Sequence, residues 1–359
     1  MKINLIGDLK TVMSNPDSIH NYFGWPTVKR LKNGKIAVSA SGFRLTHVCP
    51  FGKGVISFSD DAETFTAPTP IIDTALDDRD SGLCPFGDSG LIFTSFNNNV
   101  EFQRKWNQKR PDSPKKAYID AYLNNVTEEA EQRSLGFTFR ISNDNGTSFG
   151  PIIKSPITSP HGPIELRDGS ILWVGTSYKN GYTILAYKLD PDNGKMKFIG
   201  EVDTSNIKAL GRFPCEPYAF ELDDGTIICH IRSDRYGEIS AFTLYQTESS
   251  DGGKTWTTPH QILSDRGGAP SHIIKHSSGA LIATYGYRDC PYGIKAMFSY
   301  DNGKSWSEGE YLYSNDFSGD LGYPSTIEFA DGSLFTVFYT RHNNSDEALV
   351  FGQRWSFEI

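Results

Sequence analysis

Ionisable and aromatic residues recur at fixed distances from six glycines in this chain. Nine positions before Gly34, Gly90, Gly169, Gly225, Gly279 and Gly332 stand Trp25, Ser81, Pro160, Glu216, Pro270 and Tyr323, with Asp80, His161 and His272 close beside them. Seven to ten positions after four of the same glycines stand Arg44, Arg232, Arg288 and Arg341, and His47 follows in the loop beyond Arg44. Carboxyls, imidazoles and a phenol are the groups that move protons near neutral pH, and the guanidinium fork is the side chain best shaped to hold a carboxylate. The run Asp77-Asp78-Arg79-Asp80 sets three carboxylates beside one guanidinium. Crowded like charges raise one another's pKa, so this run is a source of acid/base groups or, equally well, a salt-bridged loop. Glu216, flanked by Pro214, Cys215 and Pro217, needs a partner if water is scarce there. Singly, an Arg or His at a strand end is as readily structural as functional. Convergence of several is what points to a site.

The elements that would bring these groups together are hairpins. Around each glycine apolar residues alternate, as in Thr226-Ile227-Ile228-Cys229-His230-Ile231 and Ser333-Leu334-Phe335-Thr336-Val337-Phe338, the pattern of two strands joined by a tight turn. The glycines lie 53–56 residues apart except for one gap of 79. A second repeat is independent of the first. Ser249-Ser250-Asp251-Gly252-Gly253-Lys254-Thr255-Trp256 returns at Ser299–Trp306 and at Ser142–Phe149, with a worn copy at Asp60–Phe65. Each full copy offers an Asp to accept backbone N–H groups across its own turn, a Gly for positive φ and an aromatic anchor. Such periods specify four-stranded blades around an axis, and we read an all-β six-bladed β-propeller spanning residues 1–359 as one domain. Leu349–Trp355 gives the last blade a third strand, and Lys2–Ile6 is free to close it as the outermost one. The long gap implies an insertion over about 97–134, between the second and third strands of the second blade. Within it Ser113 is an N-cap candidate and Pro114 a first helical residue, so one helix, over Pro114–Leu123, is expected as a lid or pocket wall.

Composition agrees and excludes. Aromatics at 13%, with 34 Gly and 19 Pro, suit short strands and tight turns. A net charge of −8 argues against a nucleic-acid partner. No apolar run approaches the roughly 20 residues of a spanning helix, so no membrane role is expected. The start Met1–Asp8 has too short an apolar stretch for a secretion signal, which predicts a cytoplasmic protein. Five cysteines, an odd number without a CxxC pair, suggest neither a disulfide framework nor zinc. Nothing requires a cofactor or a metal; Asp77, Asp78 and Asp80 have the oxygen ligands that Ca²⁺ prefers, without an EF-hand loop. Oligomeric state is not legible.

The Asp turns, the six repeats, Glu216-Pro217-Tyr218-Ala219-Phe220-Glu221-Leu222-Asp223-Asp224-Gly225 followed by Arg232, and Gly322-Tyr323-Pro324-Ser325-Thr326 before Asp331-Gly332 resemble the sialidase superfamily with its Asp-box (BNR) repeats. The resemblance covers nearly the whole chain. It implies a Tyr nucleophile, Tyr323, whose proton passes to Glu216, and a clamp of Arg residues for a sugar carboxylate that includes Arg232 and, by position, Arg288. A neutral phenol approaches an anomeric carbon beside a carboxylate without the repulsion an anionic nucleophile suffers. Two family features are absent: Gly24-Trp25-Pro26 stands where the family has Arg-Ile-Pro, and the loop Ser41–Lys53 has no acid/base Asp, only His47.

The function expected is therefore an exo-acting glycosidase, divergent from sialidases, that removes a terminal acidic sugar from an oligosaccharide. Tyr323 and Glu216 would be the nucleophile system, His47 or Asp80 the proton donor, and Arg44, Arg79, His161, Arg232, His272 and Arg288 the substrate-binding groups. Two alternatives remain open from the residues alone. One is a uronate-directed lyase using His and Tyr, told apart by an ultraviolet-absorbing product; the other is a sugar-binding propeller without turnover.

Overall fold

The computed structural model describes residues 2–179, 181–235, 242–264, 267–341 and 345–358. Six four-stranded antiparallel sheets follow one another around a ring. Their first strands, nearest the axis, are Tyr22–Arg30, Leu83–Phe86, Ile164–Glu165, Arg212–Glu221, Ala269–Lys275 and Leu321–Glu328. The sixth blade is completed by the N-terminal strand Lys2–Met13, which pairs along Ala348–Glu358 from Lys2↔Glu358 to Met13↔Val350. This is the six-bladed β-propeller the repeats specify, closed as expected.

The core lies between blades. Six apolar clusters each combine residues of two neighbouring blades, as where Leu172, Val174 and Ile184 of the third meet Ile227, Cys229 and Ile231 of the fourth. The Asp turns sit on the connection from third to fourth strand, at the outer side, and tie each blade to the one before it. Trp256 enters the cluster of blades three and four, and Trp306 that of blades four and five. In the last turn Ser299 Oγ donates to Asp301 Oδ1 (2.8 Å) and accepts from Gly303 N (2.8 Å), while Trp306 Nε1 and Gly303 O grip the amide of Gln246 on the fourth blade. Gly303 is obligatory there: φ is +81°, and a Cβ would lie 2.5 Å from Ile228 Cδ1. Because Ser299 is buried, Ser299→Ala should cost about 1–2 kcal/mol, read in urea unfolding, by leaving the Gly303 N–H unpaired.

Turn chemistry at the other end corrects one element of the count. Gly34, Gly169, Gly225, Gly279 and Gly332 all have positive φ, but in the second blade that role belongs to Gly87 (φ +52°), and Gly90 starts the second strand, Gly90–Phe96. The insertion falls where expected, between Gly90–Phe96 and Phe137–Ser142. It carries three helices where one was predicted: α1 (Val100–Gln108), α2 (Pro114–Asn125) and α3 (Glu128–Ser134). α2 begins as expected, with Ser113 accepting from Lys116 N and Pro114 in the first turn. The two others are capped by Asn99, which accepts from Phe102 N, and Thr127, which accepts from Ala130 N. Asn97 staples the two ends of the insertion, donating to Asp78 Oδ1 (3.2 Å) and accepting from Gly136 N (2.8 Å). One more short helix, α4 (Ser205–Lys208), precedes the fourth blade. No helix among the described residues is long and apolar enough to cross a membrane.

Candidate functional site

Four side chains reach the mouth of the ring from the same kind of backbone irregularity. Trp25, Asp80, Glu216 and Tyr323 all have left-handed φ, between 48° and 57°. For three of them the ladder shows the cause. Pairing jumps from Gly24↔Ser41 to Thr27↔Ser39, from Cys215↔Arg232 to Tyr218↔His230, and from Gly322↔Tyr339 to Ser325↔Val337, so the first strand holds one extra residue each time. The bulge re-aims the residue it contains, and each is followed by a proline, Pro26, Pro217 or Pro324, which has no N–H to lose from the ladder. A non-glycine residue held at such φ costs on the order of 1 kcal/mol or more and persists where surrounding structure enforces it, most often at functional sites.

Tyr323 Oη donates to Glu216 Oε1 at 2.7 Å. Arg232 Nη1 donates to both, at 3.0 Å to the phenol and 2.6 Å to Glu216 Oε2. The rest of the Arg232 fork is engaged by Asp234, through Nε at 2.9 Å and Nη2 at 2.8 Å. Burial and the charge of Glu216 push the Tyr323 phenol well above its usual pKa, against the pull of Arg232. The phenol is therefore protonated at neutral pH and is the donor in its bond to Glu216. Asp80 is buried within electrostatic reach of Glu216, and its Oδ1 has no hydrogen-bond partner among the described residues. Burial first, and Glu216 second, raise it to about 7 against the opposing charges of Arg79, Arg232 and Arg44. Asp80 thus keeps its proton to a far higher pH than an ordinary carboxyl, beside the Glu216 carboxyl that Arg232 grips at 2.6 Å.

His47 faces the same mouth from the first blade. Its Nδ1 lies 3.0 Å from Asp320 Oδ1, and Tyr22 Oη, Tyr339 Oη and Arg341 Nε also donate to Asp320. Burial opposes the charge of Asp320, and these partners override it, holding the carboxyl well below the usual range. Partial burial, with Arg79 and Arg44 nearby, lowers His47 in spite of Asp320. A neutral His47 that donates Nδ1–H to Asp320 leaves Nε2 as an acceptor. Arg79 lies flat on Trp25, its Cζ 4.0 Å from a ring centroid, with Nη2 3.5 Å from His47 Nε2. His47, Arg79, Phe102 and Trp106 of α1, Tyr178 and Tyr182 line a pocket of about 390 Å³. The insertion is a pocket wall as expected, through α1 and not through α2.

Arg288 stands next to Tyr323, lowering its pKa electrostatically, with Nε and Nη2 donating to Leu321 O. Arg44, His161 and His272 are placed elsewhere, contrary to expectation. Arg44 is fully buried beneath Trp25, ion-paired with Asp77 and bonded to Thr46 O, Ser41 Oγ, Asp78 O and His47 O, so its guanidinium is a foundation of the His47 loop. His161 and His272 pack edge-to-face on the axis below the mouth, 5.2 Å apart, where His161 Nδ1 meets Thr27 Oγ1. Burial and the charge of Lys29 hold His161 at about 3 and His272 well below its usual value. Asp77, Asp78 and Asp80 do not converge as a calcium site would require: Asp77 pairs with Arg44 and Arg79, and Asp78 accepts from Thr74 and Asn97. Missed in the sequence were Asp320, Asp234 and Tyr178. Asp234 carried a signal, since it lies two positions after Arg232 and so shares its face of the strand.

A family model described as BNR repeat-like domain matches residues 121–336. The chain belongs to this family. No curated protein matches the sequence. Among solved structures, a protein of unknown function from Dyadobacter fermentans superposes over 99% of both chains with a TM-score of 0.77 and 19% identity. The intramolecular trans-sialidase of Ruminococcus gnavus covers 97% of each chain (TM-score 0.64, 12% identity), and the α-L-arabinanase of Penicillium chrysogenum covers 99% of this chain and 98% of its own (0.63, 12%). At such identities the likeness establishes a shared six-bladed propeller fold.

Proposed function

We propose that the protein is a retaining exo-glycosidase acting on a terminal acidic sugar of an oligosaccharide. The observation that carries this reading is the Tyr323–Glu216 hydrogen bond of 2.7 Å, clamped by Arg232. As the Tyr323 oxygen attacks the anomeric carbon, its proton passes to Glu216, the glycosidic C–O bond breaks, and Asp80 protonates the leaving oxygen. Water then displaces the tyrosyl sugar: Asp80 takes the water proton, and Glu216 returns its own to Tyr323. Asp80 suits the donor role better than His47, being a carboxyl still protonated near pH 7 whereas His47 offers a lone pair. With Arg232 occupied by Asp234 and Glu216, the carboxylate of the sugar falls to Arg79 and Arg288. Sialidase and arabinanase neighbours support glycoside chemistry on this scaffold and do not choose between acidic and neutral sugars.

Asp80→Asn should lower turnover by about 10²-fold on oligosaccharides and much less on aryl glycosides whose leaving group needs no proton. The fall of kcat as pH rises through about 7, expected of the parent, should vanish in the variant. The parent's stability falls over the same range. A carboxyl whose folded pKa lies above its free value stabilises the fold in acid and loses that contribution as pH rises through the folded pKa. Parent and variant should therefore unfold alike near pH 4, and the variant later at pH 8.

The functional test is incubation with oligosaccharides ending in sialic, uronic, ketodeoxy and neutral sugars, read by mass and by ultraviolet absorbance. A released sugar without ultraviolet absorbance is expected from one of the acidic classes, and release of neutral sugars alone would overturn the substrate assignment. His47 Nε2 beside Arg79 also suits abstraction of a proton next to a uronate carboxylate, the lyase reading, for which an absorbing unsaturated product would be decisive.

A further inference from the structure

The ring has a second mouth, at the turn end of the same first strands, and a pocket of about 350 Å³ opens there. Lys29, Cys84, Ile164, Tyr218 and Phe220 are among its lining residues, drawn from the first strands of four blades. Of the other ionic groups of the lining, Arg30 turns away to Gly34 O and the Phe329 ring, and the rest are matched. Lys32 pairs with Glu165 at 3.0 Å, Arg167 pairs with Asp223 just outside, and Glu221 Oε2 accepts from Arg167 N at 2.7 Å. Lys29 has no carboxylate partner among the described residues. Its ammonium donates to Tyr218 Oη at 2.8 Å and meets His272 Nε2 at 3.0 Å, two neutral groups. An ammonium carries three protons and Tyr218 takes one, so at least one remains, and Tyr218, accepting from Lys29, has its own hydroxyl proton to donate.

We infer that this second mouth is a binding site for a small carboxylate with an apolar or ring-shaped body, held by Lys29 and Tyr218. Two adjacent donors, one of them charged, suit the two oxygens of one carboxylate. Pro85, Pro163, Ile164 and Phe220 give the body an apolar wall, and the volume lies within the range of small-ligand pockets. Direction follows from charge: a half-buried cation surrounded by neutral partners is stabilised by an incoming anion, whereas a cationic ligand would be repelled. The site is separate from the Tyr323 mouth. Trp25 and Lys29 lie on one strand four residues apart, about 13 Å along it.

Benzoate, glucuronate and inorganic phosphate, each titrated to about 10 mM into the ¹⁵N-labelled whole chain, test the inference. One of the two carboxylates should give saturable amide shifts centred on 163–167 and 218–222, unchanged in Tyr323→Phe. Lys29→Met should weaken that binding about tenfold or more, the loss expected of a charge-assisted hydrogen bond. Should that variant misfold, Tyr218→Phe, which removes one hydroxyl, should still weaken binding severalfold. The inference is overturned if neither carboxylate saturates, if phosphate alone binds, if the shifts centre on Tyr323, or if the folded variants bind as the parent does.

Discussion

Tyr323→Phe should abolish turnover on any substrate the parent accepts, lowering kcat by about 10³-fold or more while the protein stays folded. The substitution deletes one oxygen. The ring keeps its place at 6.4 Å from Trp25 and 6.1 Å from Tyr339, and Glu216 keeps its bond to Arg232, so unfolding should shift by only about 1 kcal/mol. Glu216→Gln should be comparably slow, because an amide can hold the phenol but cannot take its proton. If the two act as one device, the double variant will be hardly worse than either alone, since groups that work as a unit fail as a unit. Near-parental kcat in Tyr323→Phe, measured with the substrate found by the oligosaccharide screen, would remove Tyr323 from the reaction.

Arg232→Ala should be the most destabilising change at the mouth, about 3–5 kcal/mol in denaturant unfolding. Arg232 is buried, with side chains of Glu216 and Asp234 only 17% and 14% exposed on either side. Removing the guanidinium leaves two carboxylates facing each other without a counter-charge, and the fold must protonate them or admit water. A paired variant, Arg232→Ala with Asp234→Ala, should recover much of the loss, because one of the stranded charges goes with it. Equal stability of parent and Arg232→Ala would mean that the pairs are too well hydrated to matter. The arrangement also explains why Arg232 is a poor candidate for the sugar carboxylate: its fork positions Tyr323 and Glu216.

The period of the Asp turns and hairpin glycines made the ring, its closure and the insertion legible in the sequence, because a blade cannot bury its faces without a neighbour at fixed spacing. The same count brought Glu216, Arg232 and Tyr323 to one mouth. It misplaced the turn of the second blade, which Gly87 and not Gly90 makes, and it pointed at Ser81 where the adjacent Asp80 has the left-handed φ of Trp25, Glu216 and Tyr323. It also could not tell which way a residue faces. His272 lies on the predicted strand and His161 in the turn just before Ile164–Glu165, and both pack into the axis. Arg44 stands at the predicted strand end but turns inward under Trp25, a matter of side-chain direction set by Asp77. Asp320 was invisible because it acts through a loop contact with a residue 273 positions away. A better signal was present all along. Trp25-Pro26, Glu216-Pro217 and Tyr323-Pro324 are three X-Pro steps inside strands, where proline is tolerated at a bulge.

The closing sheet has a kinetic meaning. Lys2 pairs with Glu358, and the N-terminal strand finds its place only against Ala348–Glu358, nearly the whole chain away. Until Lys2–Met13 is seated, the sixth blade offers the edge of Ala348–Glu358 to any neighbouring chain. Trp25 and Tyr323 meet where the innermost strands of the first and last blades adjoin, so the ring must close for them to touch. Trp25 of the first blade, Glu216 of the fourth and Tyr323 of the sixth are therefore neighbours only in the completed ring, and a chain that has folded five blades does not yet hold them together.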